Sequence, residues 1–303
     1  MKALLDHEWF EFRSLPEIVD WTLPGKARIA LLPVLMIQSF PLTERSPYPV
    51  PGGLDRPYPD FGNWTQRQVG LRDGLWRFLD LIDEIDIPVT FVVDALALSQ
   101  FPELVSLVRT TRHAVVAGGE HAVRLHGPQL TLDEERTIIG RTLAAIEETI
   151  GRRPMGWRSP YGAHSPRTLA LLAQAGLHYF CDFANDDRPY EVFAAQKSLN
   201  CVPMNYFMGD IHSIGVAKHS TSDYVLAMGK GVDWLLNNTL PNSPCVFPLL
   251  LHPWLAGVPH RFDAIARLLR SYAVREGVRI MNSDEISQSF TDSRPKLGLA
   301  NGV

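Results

Sequence analysis

The sequence predicts an α/β protein, a single-domain (β/α) barrel of seven or eight strands, and three observations predict it. Apolar runs of strand length alternate with segments of helical periodicity over roughly 250 residues. The alternation runs on with no internal repeat and no linker. The strand candidates are aliphatic at consecutive positions, as strands covered on both faces are.

The elements follow in order. Arg28 to Met36 is an apolar run broken only by Pro33. Asp73 opens a helical stretch with Leu75, Phe78, Leu79 and Ile82 on one face. Pro88 to Val93 is a β-branched strand, and Ala114 to Ala117 a second, shorter one. Thr131 and Glu134 form a capping box for a helix with Ile138, Ile139, Leu143 and Ile146 as its buried stripe. Ser165-Pro166 starts a further helix, which Gly176 closes. Strands are expected at Leu177–Phe183, Leu199–Pro203, Cys245–Leu251 and Val278–Met281, with a last long helix from His260 to Arg275. Two stretches break the rhythm. Residues 41–63 hold six prolines and three aromatics and read as a lid or pocket wall. Residues 292–303 read as a loose tail, which leaves 1–291 for the barrel domain.

Composition narrows the function. The chain has 303 residues, 46% of them hydrophobic, and a formal net charge of −4, without the basic footprint of a nucleic-acid or anionic-membrane binder. No apolar run approaches the ~18 residues a membrane helix needs. Asp6, His7, Glu8 and Glu11 leave no room for a signal-peptide core. Three cysteines without paired spacing give neither a disulfide framework nor a zinc finger. The expectation is a cytoplasmic, reduced protein acting on a small molecule.

In a (β/α) barrel, chemistry stands where strands end. Those positions carry Gly118-Gly-Glu120-His121 with His126 behind, Arg158-Ser-Pro-Tyr161-Gly, Asp182 to Tyr190 with Asp186-Asp187, then Asp210 and His212, and His252-Pro-Trp254. Carboxylates, imidazoles and an arginine on one rim are the parts of acid–base catalysis at a polar bond. Each has a structural reading too. Asp186-Asp187 before Arg188-Pro189 can be a solvated turn, His252 a buried packing residue, and Tyr161 and Trp254 simple packing at a barrel rim. His121 and His126, five apart, lack the three- or four-residue spacing of helical metal ligands.

The ordered set Gly156-Trp-Arg-Ser-Pro160, Cys181-Asp-Phe-Ala-Asn-Asp-Asp187 with Pro189-Tyr190, and Leu251-His-Pro-Trp-Leu255 resembles the polysaccharide deacetylase superfamily, the carbohydrate esterase family 4-like group. Within it the likeness is to the allantoinase and cyclic imide hydrolase branch, and it runs from about Asp6 to Ser287. The resemblance implies an irregular (β/α) barrel, assembly as a homo-oligomer, and hydrolysis of an amide-type C–N bond. Arg158 and His252 occupy positions like the family's arginine after the fourth strand and its histidine after a late strand. The metal-site motifs do not carry over: Leu35-Met-Ile-Gln-Ser-Phe40 stands where the family has acidic residues, and Gly118-Gly119 where the branch has a His-Gly pair. Met36, Ile37 and Gly118 offer no hard donor, so no metal and no cofactor is expected.

Three functions follow. The first is a metal-independent hydrolase of a small amide, imide or ureide. His252 would move the proton, Asp187 or Asp210 would orient it or activate water, and Arg158 would stabilise the oxyanion. Tyr161 and Trp254 would line the pocket, and Asp186, Tyr190, Glu120, His126 and Met36 would complete the substrate contacts. The second is a barrel repurposed for a cyclisation, isomerisation or elimination. The third is a binding pseudoenzyme. One cleft is expected to hold Arg158, Asp186 or Asp187, and His252.

Overall fold

A computed structural model describes residues 7–11, 21–47, 50, 56–194, 197–239 and 243–293. Strand β1 (Ile29–Ile37) is buried at every position, and its two faces explain why. Ile29, Leu31, Leu35 and Ile37 point to the outer core beneath the helices, while Ala30, Leu32, Val34 and Met36 point into the barrel. Around it the sheet is ordered β6-β7-β5-β4-β3-β2-β1-β8, with β9 (Val278–Ile280) paired to the start of β1. The other members are β2 (Thr90–Val93), β3 (Ala114–Ala117), β4 (Gly156–Trp157), β5 (Tyr179–Phe180), β6 (Tyr190–Ala194), β7 (Lys197–Cys201) and β8 (Cys245–Leu251). All pairings are parallel except the β6–β7 hairpin.

The register aligns the strand ends. Ile37 stands level with Val93, Val93 with Ala117, Ala117 with Trp157, Trp157 with Phe180 and Phe180 with Cys201. On the other side Leu35 pairs with Leu251. The residues that follow, Gln38, Asp94, Gly118, Arg158, Cys181 and His252, therefore share one rim. The irregular barrel is real: β8 is an edge strand, and the Asp187 carbonyl caps that edge by accepting the Val246 N–H at 2.7 Å.

Helices cover the outside. α5 (Leu132–Ile150) starts at Thr131 with both capping-box bonds formed. α6 (Thr168–Gln174) begins later than the Ser165-Pro166 signal suggests, because the Thr168 hydroxyl is used to accept the Ser165 N–H at 2.8 Å. The expected helix start at Asp73 is corrected. α1 (Phe61–Val69) is capped by Asp60 and runs through a wide turn at Gly70–Gly74 into α2 (Leu75–Ile85). The two glycines admit α8 (Pro253–Ala256): a Cβ on Gly70 would lie 2.7 Å from the Trp254 nitrogen, and one on Gly74 2.1 Å from the Pro253 carbonyl. α3 (Ala95–Gln100) and α4 (Pro102–Thr110) follow β2; α7 (Thr221–Asn238), α9 (Pro259–Ala273) and α10 (Ser283–Ser293) complete the layer. Parts of two expected segments, 48–49 and 51–55 of the lid and 294–303 of the tail, lie outside the described residues. Among the described residues no helix is long and apolar enough to cross a membrane. Cys181, Cys201 and Cys245 are buried thiols, and burial pushes Cys201 and Cys245 up to about 12.

Burial also holds the imidazoles of His113, His121 and His126 below their ordinary range. The unfolded chain takes up protons at these residues as pH falls through about 6.5, and the folded chain resists them. Their contribution to stability is therefore full above that pH and is lost as pH drops. The melting temperature is expected to fall between pH 7.5 and 5.5, and His126→Asn to flatten the slope. A melting temperature constant across that range would contradict this.

Candidate active site

Four rim segments build a cavity of about 380 Å³. β1 supplies Met36, the loop after β4 supplies Arg158 and Tyr161, and β8 supplies Leu250 and His252. The segment between β7 and α7 supplies Tyr206, Gly209, Ile211, His212 and Val216.

His252 follows directly on the last residue of an all-buried strand, and Pro253 turns the chain at once into α8. Its ring is fixed from behind. Asp210, fully buried, takes the His252 Nδ1 at 2.6 Å and the His252 backbone N–H at 2.7 Å. The same carboxylate accepts the Ile211 N–H at 2.7 Å. Nδ1 is thus committed to the carboxylate, and His252 lines the cavity.

Arg158 is held almost as firmly. Its Nη1 donates to the Cys181 carbonyl at 2.6 Å and lies 3.9 Å from Asp182 Oδ1. Asp182 in turn accepts the Ser159 N–H at 2.8 Å and pairs with His164. Gly119, with φ +87°, lets this loop close in, since a Cβ there would meet Pro160 at 2.5 Å. Tyr161 stands half-exposed at the mouth with φ +60°, the left-handed conformation that side chains other than glycine adopt at a cost.

The structure brings together Arg158, His252, Asp210, Tyr161 and Met36, and leaves the other expected residues apart. The single cleft with Asp186 and Asp187 does not form. Both line a separate cavity of about 340 Å³ with Asn205, Met208, Val246 and Pro248. Their loop folds back along the β8 edge, where Asp187 pairs with Arg188 and Asp186 accepts the Arg188 N–H at 3.0 Å. Tyr190 lies on β6 and donates to Asn185. Trp254 is buried rather than a pocket wall, packed edge-on to Phe40 and beneath Arg67. Glu120 has its carbonyl tied to the Leu96 N–H. His126 is buried against Trp157 and bonds Glu135 at 3.1 Å. Burial raises the Glu135 carboxyl, but hydrogen bonds from Ser165, Thr168 and His126 outweigh it and hold the group below the usual range. Tyr206, Ile211, Val216 and Leu250 were not among the expected contacts, and His212 was placed on the rim but given no role. Leu250 lies within β8, and the only sequence signal of the others is their position after β7.

The donor set does not fit a hard divalent ion. At the two places where the resemblance puts ligands stand Met36, Ile37 and Gly118, and a Cβ on Gly118 would meet Val92 at 3.0 Å and the Val93 backbone at 3.1 Å. His121 turns to Glu44 at 3.4 Å and His126 to Glu135, so they do not converge on a substitute site. Among the described residues no three His, Cys, Asp or Glu side chains group as ligands. The rim is instead clasped by Asp94, whose carboxylate accepts the Ser39 N–H at 2.6 Å and the Ala97 N–H at 2.7 Å.

Comparison with known proteins agrees with this architecture. The profile of the family described as "Polysaccharide deacetylase" matches residues 67–180. A peptidoglycan deacetylase-like protein, FGM2 of Gibberella zeae, is 24% identical over 242 residues, covering 66% of this chain and 69% of its own. A peptidoglycan deacetylase of Helicobacter pylori is 20% identical over 74% of this chain and 85% of its own. The crystal structure of Puue allantoinase shares the fold, with a TM-score of 0.80 at 24% identity, over 90% of this chain and 93% of that one.

Proposed function

We propose, from the premise that the chain carries a polysaccharide deacetylase domain, that it hydrolyses the C–N bond of a compact amide, imide or ureide without the divalent ion standard in that family. One observation carries the reading: the Asp210–His252 pair opens onto the same cavity as Arg158.

The carboxylate holds His252 in the tautomer with Nδ1–H, so Nε2 presents a lone pair to a water molecule. The guanidinium of Arg158 stands ready for the charge that develops on the carbonyl oxygen. The cavity falls within the size range of small-molecule sites, at about 380 Å³. Met36, Ile211, Val216 and Leu250 make much of its wall apolar, and among the described residues no Asp, Glu, Asn or Gln side chain lines it. A sugar chain, with a hydroxyl on most carbons, would find few partners there. The cavity is open above an assembled Asp–His pair, which supports catalysis over a binding-only role. Three buried thiols suit a reducing compartment, so a cytoplasmic location is part of the proposal.

The test is a panel of N-acetylated amines, cyclic imides and ureides, run beside chitin and peptidoglycan oligosaccharides with product release followed directly. Turnover of a compact compound and none of the oligosaccharides is expected. Turnover confined to the oligosaccharides would overturn the reading.

A further inference from the structure

We propose that His212 is a second catalytic imidazole, the group that gives the leaving nitrogen its proton; this rests on the hydrolase reading above. Splitting an unactivated amide requires a proton to leave the attacking water and a proton to reach the departing nitrogen. One imidazole can do both in turn, but a donor already standing in the cavity protonates the leaving nitrogen without waiting for the proton His252 takes from water.

His212 lines the same cavity two residues beyond Asp210. It is half-buried, on the turn Ile211–Val216, with its ring edge-on to Phe207 at 4.6 Å and Tyr206 at 6.0 Å. The Asp210 carboxylate that holds His252 also caps this turn through the Ile211 N–H. One buried aspartate therefore fixes the His252 ring and anchors the start of the turn that carries His212. The other polar side chains of the cavity are poorer donors. A guanidinium does not give up its proton, and a phenol is a weaker acid than an imidazolium by about 3.5 pK units. The two imidazoles also differ in setting: a carboxylate backs His252, whereas the ring contacts of His212 are aromatic.

The step balances. Water adds to the carbonyl carbon, its proton passes to His252 Nε2, and the carbonyl electron pair moves onto oxygen beside Arg158. The C–N pair then leaves with nitrogen, which takes the proton of protonated His212. The carboxylic acid formed ionises, and solvent returns His252 and His212 to their starting states.

The experiment uses two substrates sharing one acyl group, an alkylamide and a 4-nitroanilide, with wild type, His212→Gln and His212→Ala. The nitroanilide needs less help from an acid to leave than the alkylamide does. His212→Gln is expected to lose about 10²–10⁴-fold on the alkylamide and about tenfold or less on the nitroanilide. Added imidazole is expected to restore part of the alkylamide turnover of His212→Ala. Equal losses on both substrates, or none, would overturn the role of His212 while wild-type turnover preserves the hydrolase reading. A wild-type protein inert toward every compact amide overturns both.

Discussion

His252→Ala is expected to cut turnover of the compact substrate by about 10²–10⁴-fold while the barrel stays folded. The fold survives because of how Asp210 is partnered. When the imidazole goes, the carboxylate still accepts the backbone N–H groups of His252 and Ile211, so no buried charge is stranded. The expected stability cost is the about 1–3 kcal/mol of one lost buried partner. His252 as mere packing predicts the reverse: a lower melting temperature with activity intact in whatever remains folded. Turnover and thermal melting on the same preparation separate the two. Asp210→Asn should follow His252→Ala in turnover, because an amide can neither hold the Nδ1–H tautomer nor balance the imidazolium.

Arg158→Ala is expected to lose about 10²–10³-fold in kcat, the usual effect of removing a donor to a developing oxyanion. Arg158→Lys should recover only part of it. The ammonium keeps the charge, but the planar fork that spans the Cys181 carbonyl and the cavity is gone. If Arg158 only bound the ground state, KM would rise with kcat unchanged. Measured kcat and KM for both variants decide between these outcomes.

The fold was legible because its signals are local. The β1 run, the Thr131–Glu134 box and the Cys245–Leu251 strand each announce an element within a few residues. α7 was passed over although Tyr224, Met228 and Val232 form a stripe at four-residue spacing, because its opposite face carries apolar residues too: Leu226 and Trp234 are exposed. The helix start at Asp73 missed α1, which runs on through the wide turn at Gly70–Gly74, where the two glycines make room for α8.

The candidate site was legible only in part, and the reason is direction. Arg158 and His252 directly follow strands whose register puts them on the rim, so chain position alone places them. Asp186 and Asp187 come five and six residues after Cys181, far enough for the loop to turn back along β8. Nothing local says which way such a loop runs. Trp254 lies two residues past His252, and the turn into α8 buries it. In the segment after β7, position placed Asp210 and His212 on the rim, but the segment has no helical or strand period, so the approach of Tyr206, Ile211 and Val216 to the cavity emerges only from the packing.

The most direct test of the account is turnover by chelator-treated protein with metal content measured in the same sample. The account predicts hydrolysis of a compact amide, imide or ureide at undiminished rate with far less than one metal per chain, and no thermal shift on adding zinc or manganese. Activity that vanishes with the chelator and returns in proportion to added metal would contradict it.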